Sequence, residues 1–280
     1  MPLFFAKPKL HALLALLGLF TFLGMALSGP NTAKAGSQGD VRIATINGRP
    51  VAYRILGSGR PIVVMLSGLG DGMDSFRGVA PDLATGATII LYDRAGYGGS
   101  APGPEPRDAV AVERELSGLL SRIGLPGPYV LVGHSLGGSF AEYYAGRHPD
   151  QVAGLILENS RPADFKRRCL AVQTSMCAPT VAMMPMAPAG AKAETAALDD
   201  TMKELASTPR LAGKPVLVLS GAVGANPTPF DTVWRDAQAD LAAAYPGSHH
   251  LTASDGGHYI HYDQRDWFVS VVRGFLAGLR

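Results

Sequence analysis

Cysteine is nearly absent, with two residues in 280, and this excludes a fold held by a disulfide framework. Charged residues make up only 17% of the chain, with no run of like charges and no basic stripe. A nucleic-acid-binding surface, which needs clustered Lys and Arg against phosphate, therefore has no basis here. Only one long apolar run occurs, Ala12–Leu27, too few for a polytopic membrane protein. What is abundant is apolar: 47% of residues are hydrophobic, beside 34 glycines and 21 prolines. Such a chain buries enough surface to offset its conformational entropy, which excludes disorder. Its length fits one domain, or a domain with an inserted cap.

The first 35 residues also lack something: they contain no acidic residue and no arginine. Lys7 and Lys9 precede the apolar run, Ser28-Gly29-Pro30 breaks it, and Ala33-Lys34-Ala35 follows. A basic start, an apolar centre and a small-x-small site predict a signal peptide over residues 1–35, cleaved after Ala35. The sixteen-residue run falls short of the roughly 20 needed to span a bilayer comfortably, so no stable span is expected after cleavage. The mature chain, 36–280, is expected in the periplasm or secreted. Losing Lys7, Lys9 and Lys34 takes 25 basic residues to 22 against 23 acidic ones, which reverses the formal +2 to a net of −1. Outside the cytosol, Cys169 and Cys177, eight apart, are expected to form a disulfide. A metal site would need further close ligands, and their segment has no histidine.

Along the mature chain, short apolar runs alternate with helical stretches. Val41–Ile46 and Val51–Leu56, joined through Asn47-Gly48, read as a β-hairpin. Further strands are expected at Ile62–Leu66, Thr88–Tyr92, Tyr129–Val132, Val152–Leu157, Pro215–Leu219 and His249–Thr252, with helices over Ser75–Leu83, Ala109–Ile123, to about Gly146, over Thr232–Ala244 and from Asp263. This alternation predicts an α/β fold: a mostly parallel sheet with helices on both faces and an antiparallel leading edge. Residues 160–212 break the rhythm and read as a cap inserted in the sheet's order.

Gly133-His134-Ser135-Leu136-Gly137 is a Gly-x-Ser-x-Gly between an expected strand and helix. On so sharp a turn the serine hydroxyl projects at the sheet edge, and the following helix aims free amides at the same spot. Ser135 is therefore the candidate nucleophile. It needs a base, and His258, after the flexible Asp255-Gly256-Gly257, is the candidate. His249, His250 and His261 read as surface or packing histidines. The oxyanion donors are expected to be the backbone N–H of Leu136 and, from Ser67-Gly68-Leu69-Gly70, that of Leu69.

On these residues the chain resembles the α/β-hydrolase-fold serine hydrolases of the esterase and lipase-like type. Further likeness lies in Tyr92-Asp93-Arg94 with Gly96, Gly98 and Ser100, and in Gly257-His258-Tyr259-Ile260-His261 with Asp263-Gln264. The resemblance implies that Asp93 and Arg94 shape the loop beside the site. It also implies that epoxide opening or halide displacement, which use an aspartate in place of Ser135, is not this chain's reaction. Such proteins usually carry a triad acid after the strand at Pro215–Leu219, but here Ser220-Gly221-Ala222-Val223-Gly224-Ala225-Asn226 holds no carboxylate. Some members place it one strand earlier, where Glu158 stands 23 residues past the serine. Glu158 is the candidate acid; Asp231, read otherwise as a helix cap, Asn159, Asp164 or no acid at all are the alternatives. Asp255 is too close to His258 in sequence.

The cap's methionines (Met176, Met183, Met184, Met186, Met202) read either as an adaptable lid over an apolar acyl or aromatic pocket or as ordinary core. Arg161, Lys166, Arg167 and Arg168 read as a solvated face or as a contact for an anionic substrate. The expected function is ester hydrolysis of a small molecule through an acyl-enzyme, with no metal or organic cofactor implied. An acyltransferase with the same nucleophile, or a catalytically silent binding protein, is the alternative.

Overall fold

A computed structural model describes residues 39–172, 177–224 and 226–279. The signal peptide expected over residues 1–35 lies outside them. Among the described residues eight strands form one sheet: β1 (Arg42–Ile46), β2 (Arg49–Gly57), β3 (Ile62–Leu66), β4 (Thr88–Tyr92), β5 (Tyr129–His134), β6 (Val152–Glu158), β7 (Val216–Gly221) and β8 (His249–Ala253). Their spatial order is β1-β2-β4-β3-β5-β6-β7-β8. The β1–β2 and β2–β4 pairs are antiparallel and all others parallel. The leading hairpin thus makes an antiparallel edge, turning through Asn47 and Gly48 at φ 50° and 76°, the paired positive φ that a tight hairpin demands.

Among the described residues nine α-helices alternate with the strands: α1 (Ala80–Leu83), α2 (Ala109–Ile123), α3 (Leu136–Arg147), α4 (Phe165–Ala171), α5 (Ala189–Ala196), α6 (Leu198–Ser207), α7 (Pro229–Ala243), α8 (Ile260–Asp263) and α9 (Arg265–Ala277). The central strands are apolar on both faces because both are covered. Ile62, Val64 and Leu66 of β3 enter one core cluster with residues of α2, α3, α6 and α7. Val63 and Met65 point the other way, into a cluster with α1, α8 and α9. In α2, Asp108 accepts from Ala111 N at its start and Gly124, at φ 73°, ends it, so both boundaries follow from capping chemistry.

Two helices differ from expectation. The stretch over Ser75–Leu83 is a 3₁₀ segment, Met73–Gly78, followed by the short α1. Pro81 lacks an N–H and disfavours helix before it, so the chain restarts there. The last helix is split at Gln264 into α8 and α9. The segment expected as a cap, between β6 and β7, contains α4, α5 and α6. Its α6 sends Leu198 and Met202 into the core beneath it, while Cys169 and Cys177 are joined in a disulfide.

Candidate active site

Ser135 lies between β5 and α3, as the residue capping α3, with φ 52° and ψ −120°, a conformation that costs a non-glycine residue about 1–3 kcal/mol. The surroundings impose it. Ser135 N donates to Glu158 O at 3.0 Å, and Ser135 O accepts from Gly138 N and Arg161 N, each at 3.0 Å. Glycine is required at 137, where a Cβ would overlap the carbonyl oxygens of Leu66 and Ser67. That approach packs the C-terminal end of β3 against the first turn of α3. Leu69 and Leu136, the expected oxyanion donors, are on these two facing segments. As the first residue of α3, Leu136 has no intrahelical acceptor for its N–H.

The loop carrying Leu69 is held from below. Arg94, 2% exposed, donates Nη1–H to Ser67 O at 2.6 Å and Nη2–H to Gly68 O at 2.9 Å. Glu194 of α5 neutralises it, accepting from Nε at 2.7 Å and Nη2 at 2.9 Å. Tyr97 OH also donates to Glu194, at 2.6 Å, and accepts from Gly70 N at 3.3 Å. Asp93 accepts from Met73 N and Gly99 N. Asp93 and Arg94 therefore shape the loop, as their motif implies. Glu194 was not singled out in the sequence, although a buried arginine in that motif demands a carboxylate from somewhere.

Three histidines gather at the same edge. His134, 1% exposed, lies 2.9 Å from His258 O through Nε2; a carbonyl can only accept, so Nε2 carries the proton. Burial pushes its pKa down to about 3, against the pull of Glu158, and the ring is neutral. Asn159, at φ 40°, donates Nδ2–H to Gly257 O and His258 O and accepts from Gly221 N and Trp234 Nε1. The backbone of His258 is thus pinned by two buried side chains. The residue is exposed as a whole, but its ring packs edge-on against Trp234 at 5.4 Å and lies 4.8 Å from that of His134. Crowding by protein lowers the His258 pKa below 6.5; Glu158 opposes this and His261 adds to it.

Glu158 departs from expectation. Its carboxylate does not hold the His258 ring; it is taken by His261, whose Nδ1 lies 2.7 and 2.9 Å from the two oxygens and whose backbone N donates at 2.9 Å. Both side chains are fully buried. The cause is local: His261 is in the first turn of α8, where backbone N–H groups lack helical acceptors and favour an anion. Burial raises the Glu158 pKa, but the charge and hydrogen bonds of His261 outweigh it and hold the carboxyl below 4.5. His261 Nε2 reaches Ser75 Oγ at 3.1 Å, so this histidine is a buried partner rather than a surface or packing one. Its position three residues after His258 was the available signal.

The other acids are accounted for. Asp231 closes a capping box with Thr228, Asp164 pairs with Arg167 and Arg168, and Asp255 accepts from Ser254 Oγ. His250 bonds Ser220 Oγ within the sheet.

Ser135 and His258 open into one cavity of about 330 Å³, walled by Phe230, Trp234, Val223, Asn159 and Arg161. Phe165 backs the aromatic wall, 4.6 Å from Trp234. The methionine lid does not form this wall: Met183 and Met186 are exposed and Met202 is core, while Met176 lies outside the described residues. Sequence reading missed Phe230 and Trp234 because their role depends on how α7 packs against α4. A second cavity of about 330 Å³, between β2 and α2, is lined by neither serine nor histidine.

An eight-stranded, mostly parallel sheet with a strained serine on the turn between β5 and α3 defines an α/β-hydrolase fold, and the chain is a member of that fold. The family model described as alpha/beta hydrolase fold matches residues 61–171, a stretch that contains Ser135 and Glu158 but not His258. The chain is similar to a putative carbamate hydrolase, RutD, of Azorhizobium caulinodans, at 33% identity over 43% of this chain and 46% of the relative. It is 42% identical to a pimeloyl-[acyl-carrier protein] methyl ester esterase of Chromobacterium violaceum, over 38% of this chain and 39% of that one. The chain spans under half the length of these curated relatives. A solved thermophilic esterase from Thermogutta terrifontis superposes with a TM-score of 0.64 at 21% identity, covering 86% of this chain and 99% of that one.

Proposed function

We propose that the protein is an exported serine hydrolase that cleaves carboxylic esters through an acyl-enzyme on Ser135. The observation that carries this reading is the strained Ser135 opening into the same cavity as an exposed, pinned His258. The His258 imidazole, neutral near pH 7 because its pKa is lowered, takes the hydroxyl proton as Ser135 Oγ attacks the carbonyl carbon. The N–H groups of Leu136 and Leu69 receive the oxyanion, each such donor contributing on the order of 10²–10³ in rate. His258 then protonates the departing alkoxide, and water, activated by the same ring, releases the acid and frees Ser135. Relatives named as a carbamate hydrolase and a methyl ester esterase support hydrolysis of an acyl bond. The Cys169–Cys177 disulfide supports an oxidising compartment.

One observation favours a second reading, a silent binding protein: the Glu158 carboxylate serves His261 and not the His258 ring. A fluorophosphonate probe separates the two. Rapid labelling that is lost in Ser135→Ala, together with turnover of 4-nitrophenyl butyrate, is the expected result. A folded wild-type protein that neither labels nor turns over would establish the silent reading.

A further inference from the structure

The cavity beside Ser135 is lined by one arginine, Arg161. The backbone of Arg161 is fixed at both ends: its N–H donates to Ser135 O at 3.0 Å, and its carbonyl accepts from Ser139 Oγ at 2.7 Å. Arg161 lines the cavity with Ser135 and His258, and it also lines a neighbouring cavity with Lys166, Arg167 and Asp199. Nη2 donates to Cys177 O at 2.9 Å, and the plane lies over the Phe165 ring at 5.0 Å. Nε is enclosed and has no hydrogen-bond partner.

Among the described residues no carboxylate lies within ion-pair distance of the half-buried Arg161, in contrast to the buried Arg94 and Arg107. Arg94 faces Glu194 at 2.7 Å and Arg107 faces Glu115 at 3.0 Å. Withdrawing a charge from water without a counter-charge is unfavourable, and burial accordingly pushes the Arg161 pKa down to about 10, with Asp199 opposing. Asp231 is also on the cavity wall, but its carboxylate is turned to Thr228 N and Oγ1 at 2.9 and 2.7 Å. The guanidinium, a planar fork matched to carboxylate geometry, thus belongs to a residue that shares its cavity with Phe230, Trp234 and Ser135.

We propose that Arg161 is an anion anchor and that the substrate is an ester bearing a free carboxylate, which Arg161 holds while its ester carbonyl meets Ser135. The ester part rests on the proposed function; the anion site stands on the cavity alone.

The test has two arms. Calorimetric titration of glutarate into the wild-type protein gives saturable one-to-one binding, weakened about ten- to hundredfold in Arg161→Gln, the range for a charge-assisted hydrogen bond. In kinetics, the ratio of kcat/KM for 4-nitrophenyl hemiglutarate over 4-nitrophenyl acetate falls by a similar factor in Arg161→Gln, and Arg161→Lys recovers part of it. Absence of saturable glutarate binding to the wild type overturns the inference, and this result needs no variant to fold. An unchanged ratio in a folded Arg161→Gln overturns it as well. Fluorophosphonate labelling of Ser135 reports separately: labelling without glutarate binding leaves the esterase reading standing, and glutarate binding without labelling leaves only the anion site.

Discussion

Glu158→Gln exchanges a buried carboxylate for an amide of the same shape, and the consequence follows from its partners. Glu158 accepts from the His261 backbone N at 2.9 Å and from Nδ1 at 2.7 Å, with neither side chain exposed. An amide can keep one acceptor but turns an NH₂ toward donors, leaving buried polar groups unsatisfied. Losing a buried charge-assisted bond in this way costs about 2–4 kcal/mol. For a domain of this size, at about 2–4 °C per kcal/mol, Tm falls by about 5–15 °C. The effect carries a pH signature. The carboxyl is held below 4.5 in the folded state, so its contribution is complete above that value and is lost as pH falls through the depressed folded pKa. Thermal unfolding followed by circular dichroism at pH 7 and in steps below 4.5 reads both. The gap between wild type and variant is full at pH 7 and narrows on acidification. A change under about 2 °C at pH 7, or a gap that widens in acid, would refute the reasoning.

Ser135→Gly removes the side chain that makes φ 52° unfavourable, so Tm rises by the equivalent of about 0.5–2 kcal/mol, the strain less the entropy cost of glycine, while ester hydrolysis is abolished; differential scanning calorimetry beside a 4-nitrophenyl ester assay checks both. Gly137→Ala forces a methyl into the carbonyls of Leu66 and Ser67, destabilising the fold by about 1–3 kcal/mol or more and lowering kcat through the displaced oxyanion loop; an unaltered urea midpoint contradicts this. The acid limb of kcat/KM, which reports the free base, has its midpoint below 6.5 because the His258 pKa is lowered and the neutral ring persists to lower pH. A midpoint above 6.5 would show that a different environment surrounds the base.

The architecture was legible because each layer leaves a short-range mark. Buried parallel strands such as Ile62–Leu66 read as continuous apolar runs, the amphipathic α2 repeats at helical spacing between Asp108 and Gly124, and the Gly-x-Ser-x-Gly turn falls where its glycines permit β3 and α3 to touch. The strained turn at Ser135 and the histidine that shares its cavity were legible for the same reason. What escaped depends on pairs distant in sequence. Glu194 lies 100 residues after Arg94, Phe230 and Trp234 become a cavity wall only when α7 meets α4, and Glu158 was placed at the site's edge but assigned to His258, whereas its carboxylate meets His261. Two histidines three residues apart offer similar chemistry, and the start of α8, a matter of backbone geometry, decides which one meets the carboxylate.

The most direct measurement is peptide mapping by mass spectrometry after acid-quenching the protein against excess 4-nitrophenyl butyrate. The peptide containing Ser135 should carry the butyryl mass in the wild type, should accumulate it less in His258→Ala, and should never carry it in Ser135→Ala. Turnover of the ester with the acyl mass on some other residue, or undiminished acylation of Ser135 in folded His258→Ala, would contradict the assignment of serine and histidine as one reacting pair.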